Sequence, residues 1–309
     1  MKLAFVFPGQ GSQAVGMLKG YDGLPEMAQV IDQAAGVLGL EFLRLMDHGP
    51  AEALNRTVNT QPAMVTAGYA VYRAWRALGG PEPELVAGHS LGEYTALTAA
   101  GAIGFADALP LVRFRAQSMQ QAVPEGQGAM AAILMLDDEA VCAACEEAGG
   151  EVQAVNFNAP GQVVIAGEKQ AVERAIEACK AKGAKRTMPL PVSAPFHSTL
   201  MRPAAEKLKT YLRNVSVFEP KIPLINNVDV AILREPLAIK EALVRQAASP
   251  VRWVETIRKM VAMGATHIVE CGPGKVLAGM TKRTAPEVQS LSLSERASLE
   301  AALAALKAP

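Results

Sequence analysis

"VAGHSLGEY", residues 86–94, sets a serine between two glycines directly after a short apolar run. The spacing Gly88-His89-Ser90-Leu91-Gly92 is G-x-S-x-G. It suits a hydroxyl held on a sharp strand-to-helix turn, with glycines clearing room around a strained backbone. An ordinary strand-to-helix turn has the same composition, so the pattern is read together with its flanks. Leu85-Val86-Ala87 reads as a buried strand end, and Leu91 to Ala100 is rich in alanine and leucine, as a helix is. The stretch therefore predicts strand, nucleophile turn and helix in succession.

The same rhythm runs outward from it. Leu3 to Phe7 is an apolar run ended by Pro8-Gly9-Gln10-Gly11. "TQPAMVTAGYAVYRAWRALGG" reads as a helix with Pro62 in its first turn and glycines at its end. Later come "IPLINNVDV", "PVRWVETIRKMVAMG", the strand "HIVEC" and a glycine-rich turn at Gly272-Pro273-Gly274. Strands alternating with helices predict an α/β fold with a mostly parallel sheet.

The middle of the chain breaks that rhythm. "GAMAAILML" is a strand, Asp137 to Gly149 a helix, and "EVQAVNF" and "GQVVIAG" two strands joined by "NAP". Glu168 to Gly183 is a second helix and "AKRTMPLPV" a last strand. This β-α-β-β-α-β order is the split arrangement of a ferredoxin-like unit. It predicts a small domain over 124–194 inserted into a discontinuous core, 1–123 and 195–309, with a ligand cleft between them. The alanine-rich C-terminal tail reads as a surface helix.

Of 309 residues half are apolar, enough for a sizeable core, and 30 Lys plus Arg balance 30 Asp plus Glu. No net charge points to a nucleic-acid partner. The apolar run at the N-terminus stops at Pro8, too short for a secretory signal. No uncharged stretch approaches the ~20 residues of a membrane span. A cytoplasmic protein without a membrane partner is expected. Cys142 and Cys145 form C-x-x-C, but residues three apart on a helix share a face without further cause. A second such pair is missing, so neither a metal nor a redox site is expected.

A nucleophilic serine needs a base and an oxyanion hole. Among four histidines, His89 reads as packed beneath the turn, His48 as part of a surface loop and His267 as the start of an apolar strand. His197, in "PVSAPFHSTLM", lies between a strand end and a helix start and leads by elimination. The backbone N–H of Leu91 follows the nucleophile and suits the oxyanion. A second donor is expected from the "PGQGSQ" loop, which lacks the Lys-Ser/Thr ending of a phosphate loop. Arg115 is the most informative charge. On a helix from Asp107 to Val123, with Pro110 in its first turn, Ala108, Leu111, Val112, Met119 and Ala122 fall on its face, at about 100° per residue. A guanidinium in an apolar stripe must be paired, and no acid stands at i±3 or i±4. Two readings follow: an ion pair with a distant acid, or a seat for a substrate carboxylate.

"FVFPGQGSQ", "AGHSLGEY", "NFNAPGQVVIAG", "PFHS", "RQAASPVRW" and "GPGKVLAGMTKR", in this order and nearly end to end, resemble the malonyl-CoA:acyl-carrier-protein transacylases of bacterial fatty-acid synthesis. The resemblance implies an α/β-hydrolase-like core with a ferredoxin-like insert. It implies Ser90 as the acylated nucleophile, His197 as its base, Gln10 and Leu91 as oxyanion amides, and Arg115 as the seat of the malonyl carboxylate. Gln246 would hold the His197 ring through its backbone carbonyl, and Phe196 would disfavour branched acyl groups. The implied reaction is ping-pong transfer from malonyl-CoA to acyl carrier protein by a monomer that needs no cofactor. A hydrolase of the same machinery and a non-catalytic carrier-binding module are the rival readings. Carrier proteins being acidic, docking is expected at Lys182, Lys185 and Arg186 or at Lys275, Lys282 and Arg283.

Overall fold

Apolar runs that alternate in direction of burial organise the chain into two sheets. The computed structural model describes residues 1–192 and 194–307; Ser193 of the small-domain range and the last two residues of the core range lie outside it. In chain order come Leu3–Phe7 (β1), Pro25–Leu38 (α1), Leu40–His48 (α2), Ala51–Leu54 (α3), Thr57–Ala77 (α4), Leu85–Gly88 (β2), Gly92–Ala99 (α5) and Phe105–Gln121 (α6). Gly128–Leu134 (β3), Asp138–Ala148 (α7), Val152–Ala159 (β4), Gln162–Glu168 (β5), Lys169–Ala181 (α8) and Arg186–Pro189 (β6) follow. Arg202–Leu212 (α9), Pro236–Gln246 (α10), Trp253–Ala262 (α11), His267–Glu270 (β7), Val276–Thr284 (α12), Gln289–Ser292 (β8) and Arg296–Lys307 (α13) complete the order.

The first sheet has the order β2-β1-β7-β8, and every pairing in it is parallel. β1 is buried along its whole length, as a central parallel strand covered on both faces must be. Its period of two divides the core. Phe5 and Phe7 turn toward α4, where Phe5 meets Trp75 at 5.4 Å and Tyr72 at 6.3 Å between ring centroids. Ala4 and Val6 turn the other way, into a cluster with Trp253, Ile257 and Met260 of α11. "IPLINNVDV" adds a single parallel bridge, Leu224 to Val86, and then leaves the sheet at Asn226 and Asn227.

The second sheet is antiparallel, in the order β4-β5-β3-β6. Ala131, Ile133, Val163 and Ile165 face α7 and α8, while Met130, Ala132 and Val164 face the opposite side with Phe196 and Val192. Asp137 caps α7 by accepting the Ala140 N–H at 2.7 Å. Cys145 packs into that helix–sheet core, so the C-x-x-C spacing reflects a buried helix face. β4 is tied to the core at Val251, whose N–H donates to Val155 O at 2.8 Å.

Local expectations are corrected at Pro62, Pro110 and His48. α4 begins at Thr57 and α6 at Phe105, so Pro62 and Pro110 lie inside their helices and not in the first turns. The entry of α4 carries no side-chain cap, which left its start without a sequence signal. β8 escaped notice because "QSLS" is half polar, as an edge strand often is. The C-terminal helix lies at the surface as expected, with Glu300, Ala301 and Ala304 exposed, while Leu299, Ala302, Leu303 and Leu306 of α13 are buried against the main core. His48 ends α2 with an exposed side chain and does not lie in a loop. Among the described residues no helix is long and apolar enough to cross a membrane.

The turn between β2 and α5 is the tightest passage in the fold. A Cβ on Gly88 would stand 1.8 Å from Gly92 C, and one on Gly92 would stand 2.0 Å from Phe7 O. Both neighbours are backbone of central elements and have nowhere to move. Gly92→Ala is therefore expected to cost at least about 2–3 kcal/mol of unfolding free energy, as overpacking does in a dense core. Gly279→Ala, inside α12 with open space around the new methyl, should gain roughly 0.5–1 kcal/mol. Urea unfolding of both variants checks the pair, and a Gly92→Ala protein as stable as the parent would contradict the crowding argument.

Candidate active site

Ser90 sits where β2 runs into α5, with φ at 50°. A serine holds such a left-handed conformation only when its surroundings impose it. Here both of its peptide groups are tied. Its N–H donates to Asn227 Oδ1 at 2.7 Å, and its carbonyl accepts from Gln246 Nε2 at 3.0 Å. Asn227 also donates through Nδ2 to Gly88 O at 2.7 Å, so one amide spans the turn. The hydroxyl is thereby held toward His197, whose Nε2 lies 2.6 Å from Ser90 Oγ.

His197 is 3% exposed and has a positive φ of 65°. Its Nδ1 lies 2.9 Å from the backbone carbonyl of Gln246. A carbonyl only accepts, so Nδ1 carries the proton and Nε2 is the bare nitrogen that accepts the serine O–H. Burial pushes the pKa of His197 down to about 3, with the Arg115 charge as the next cause. The ring is thus held neutral, in the tautomer a general base needs.

Arg115 is 2% exposed on the apolar face of α6. Nη1 donates to Gln61 Oε1 at 2.8 Å and Nη2 to Gln246 Oε1 at 2.9 Å. Nη2 also reaches Ser90 Oγ at 3.3 Å, and the guanidinium stands 5.3 Å from the Tyr94 ring centre. Nε has no partner, and among the described residues no carboxylate pairs with this arginine directly. Its neighbours are neutral amides, a hydroxyl and a ring, an arrangement that leaves its charge directed at the serine.

Ser90, His197, Arg115 and Gln61 line a cavity of about 110 Å³ together with Met130, Asn156, Val164, Leu190, Val192 and Phe196. Gln10 and Leu91 line it too. The first turn of α5 uses the N–H groups of Gly92, Glu93 and Tyr94 on His89, Ser90 and Leu91 carbonyls, while the Leu91 and Gln10 N–H groups have no acceptor among the described residues. Two free donors beside a serine hydroxyl can accept a developing oxyanion. A hollow of about 450 Å³ opens alongside, shares Gln10 and Val192 with the cavity, and is lined by Asn55, Arg56 and Glu125.

The six residues singled out from sequence, Ser90, His197, Arg115, Gln246, Gln10 and Leu91, thus meet at one point. His89 lies against Trp253 and bonds Asn158 Oδ1 at 2.7 Å, as expected of a packed side chain, and it also edges the cavity. His267 opens β7. Of the basic clusters, Lys182 is paired with Glu147 at 2.8 Å, and Arg283 ties α12 to Pro160 O at 2.7 Å. Sequence reasoning missed Gln61, Asn227, Glu93 and the side chain of Gln246. Only Glu93 left a signal, a lone acid on an alanine-rich helix one residue past the serine turn.

Residues 4–300 match the family model described as an acyl transferase domain. The malonyl CoA-acyl carrier protein transacylase of Escherichia coli K12 is 52% identical over 305 residues, which are 98% of this chain and 99% of the relative. The crystal structure of an acyl-carrier-protein S-malonyltransferase from Burkholderia pseudomallei superposes with a TM-score of 0.97 at 59% identity, covering 98% of this chain and 100% of that one. A malonyl-transacylase solved in complex with its type II PKS acyl-carrier protein superposes with a TM-score of 0.97 at 50% identity, covering 99% and 100%. A serine, a neutral histidine and two amides without acceptors among the described residues line one cavity, a set suited to acyl transfer, and the likeness runs nearly end to end: the chain belongs to the acyl transferase domain family.

Proposed function

We propose that this acyltransferase moves a malonyl group from malonyl-CoA to the phosphopantetheine thiol of acyl carrier protein, as a step of fatty-acid biosynthesis. The observation that carries the reading is Arg115, a buried cation that has no ionic partner among the described residues and reaches to 3.3 Å from the serine oxygen. A guanidinium there grips a carboxylate through two parallel N–H···O bonds, and of the common acyl thioesters a malonyl group carries one. The carboxylate completes the pairing that Gln61 and Gln246 only approximate.

In the first half-reaction Ser90 Oγ attacks the thioester carbonyl carbon while its proton passes to His197 Nε2. The oxyanion takes the Leu91 and Gln10 N–H groups. Collapse breaks the C–S bond, and CoA leaves with the proton from His197. The carrier thiol then gives its proton to His197 and attacks the acyl-serine, and the proton returns to Ser90 Oγ as the new thioester forms. The Gln246 carbonyl keeps the His197 ring in register through both halves. Phe196 and Met130 narrow the space beside the acyl α-carbon and so oppose branched groups. The hollow beside Gln10 gives the pantetheine arm its approach.

The small antiparallel sheet has its first strand between its third and fourth, which supports reading 124–194 as a ferredoxin-like insert in an α/β-hydrolase-like core, 1–123 and 195–309. The same reading takes the protein as a cytoplasmic monomer that works without metal or cofactor.

Arg115→Ala tests the substrate. Losing one partner of a buried pair costs ~3–5 kcal/mol, and about 1.4 kcal/mol is tenfold. kcat/KM for malonyl-CoA is expected to fall by roughly 10² to several times 10³, with acetyl-CoA used as well as before or better. Arg115→Lys should recover only part of the malonyl rate. An equal loss for both thioesters would make Arg115 a fold residue and remove the carboxylate reading. The depressed pKa of His197 gives a second expectation. Its basic form persists as pH falls through the ordinary histidine value, so single-turnover acylation should hold through about pH 5 and decline only as pH approaches about 3. In Arg115→Ala the loss of a nearby positive charge should move that limb upward. A parent rate that halves near pH 6.5 would contradict the neutral, buried base.

A further inference from the structure

Glu93 is a buried carboxylate that the transfer chemistry does not use. It is 2% exposed, one residue into α5. One of its oxygens, Oε2, accepts twice: from the backbone N–H of Asn227 at 2.9 Å and from Gln246 Nε2 at 2.9 Å. These two residues are the ones that hold the Ser90 backbone: Asn227 Oδ1 accepts the Ser90 N–H, and Gln246 Nε2 donates to the Ser90 carbonyl. The amide of Gln246 has one possible orientation in this setting. With Nε2 committed to Glu93 and Ser90, its Oε1 faces Arg115 Nη2 at 2.9 Å. The relay runs carboxylate, amide, guanidinium.

We propose that Glu93 is the positioning residue for the carboxylate seat: by fixing the amide of Gln246 it aims the Arg115 guanidinium at the acyl group on Ser90. The role belongs to the position of an acceptor oxygen and not to a direct ion pair, because Gln246 stands between the two charges. Burial supports this view. It pushes the Glu93 carboxyl up to about 7, although Gln246, Asn227 and Arg115 all favour the ionised form. An acceptor kept at that cost is held for what it orients. Flipping the Gln246 amide would set an N–H₂ group against the Arg115 donors and leave both unsatisfied, which in a buried site costs more than losing one bond.

The inference rests on the malonyl reading of Arg115, and two conservative variants separate it from that reading. Glu93→Asp keeps the charge but withdraws the oxygen by about 1.5 Å, one C–C bond. Glu93→Gln keeps the reach and an acceptor oxygen but removes the charge. The measurement is the ratio of Ser90 acylation rates with malonyl-CoA and acetyl-CoA in one preparation, so that any unfolded fraction cancels. Misplacement by an ångström is worth up to about 10² in rate. The malonyl-to-acetyl ratio is expected to fall at least about tenfold in Glu93→Asp and to stay within about threefold of the parent in Glu93→Gln. An Asp variant with the parent ratio, or a Gln variant that loses as much as Asp, overturns the assignment. A parent without any malonyl preference overturns the malonyl reading itself, and this inference with it.

Discussion

The left-handed backbone at Ser90 is the constraint on which the site depends. It exists because β2 and α5 meet so closely that neither Gly88 nor Gly92 has room for a Cβ. A turn this tight leaves the serine as the residue that must project. It also leaves the serine's own N–H outside any helix or strand ladder and its C=O held only by the first turn of α5, and backbone groups at such a turn require further partners. Asn227 and Gln246 supply them from segments far along the chain. The strain is therefore what recruits the side chains that complete the site.

Burial acts on the three charged or titratable groups in different ways, and the differences define the chemistry. His197 loses its ability to take a proton from water and stays a base for its neighbour's hydroxyl. Glu93 is driven toward neutrality but is retained by two N–H donors. Arg115 keeps its charge as every arginine does, although burial works against it. Its surroundings satisfy two of its nitrogens with neutral oxygens and place the Glu93 carboxylate one amide away. The cation is solvated well enough to fold and poorly enough to prefer an incoming anion. Selectivity for a carboxylate-bearing acyl group follows from that incomplete pairing.

Much of this was legible in the sequence because it is local. Glycine spacing around Ser90, the apolar stripe through Arg115 and the alternation of strand and helix are all patterns within about twenty residues. The βαββαβ order of the middle segment was equally plain from its turns and helix caps. What escaped was long-range or unsignalled. Asn227 lies in a stretch whose apolar run suggests a strand, and nothing nearby says that it leaves the sheet to brace a turn 137 residues away. Gln61 looks like an ordinary helix residue, and the early start of α4 has no capping side chain to mark it. Of Gln246 only the backbone carbonyl was anticipated, through resemblance, while its side chain proved to join the serine, the arginine and Glu93. The question of Arg115's acid was open from sequence; Glu93 is near but does not bond it.

The central claim is that Ser90 carries the malonyl group between two thiols, and intact-protein mass spectrometry after brief exposure to malonyl-CoA tests it most directly. One malonyl adduct is expected on the parent, absent from a folded Ser90→Ala variant, persistent in buffer and discharged on adding phosphopantetheinylated acyl carrier protein. An adduct that water removes as fast as the carrier does would make the protein a hydrolase, and an adduct that survives in Ser90→Ala would place the nucleophile elsewhere.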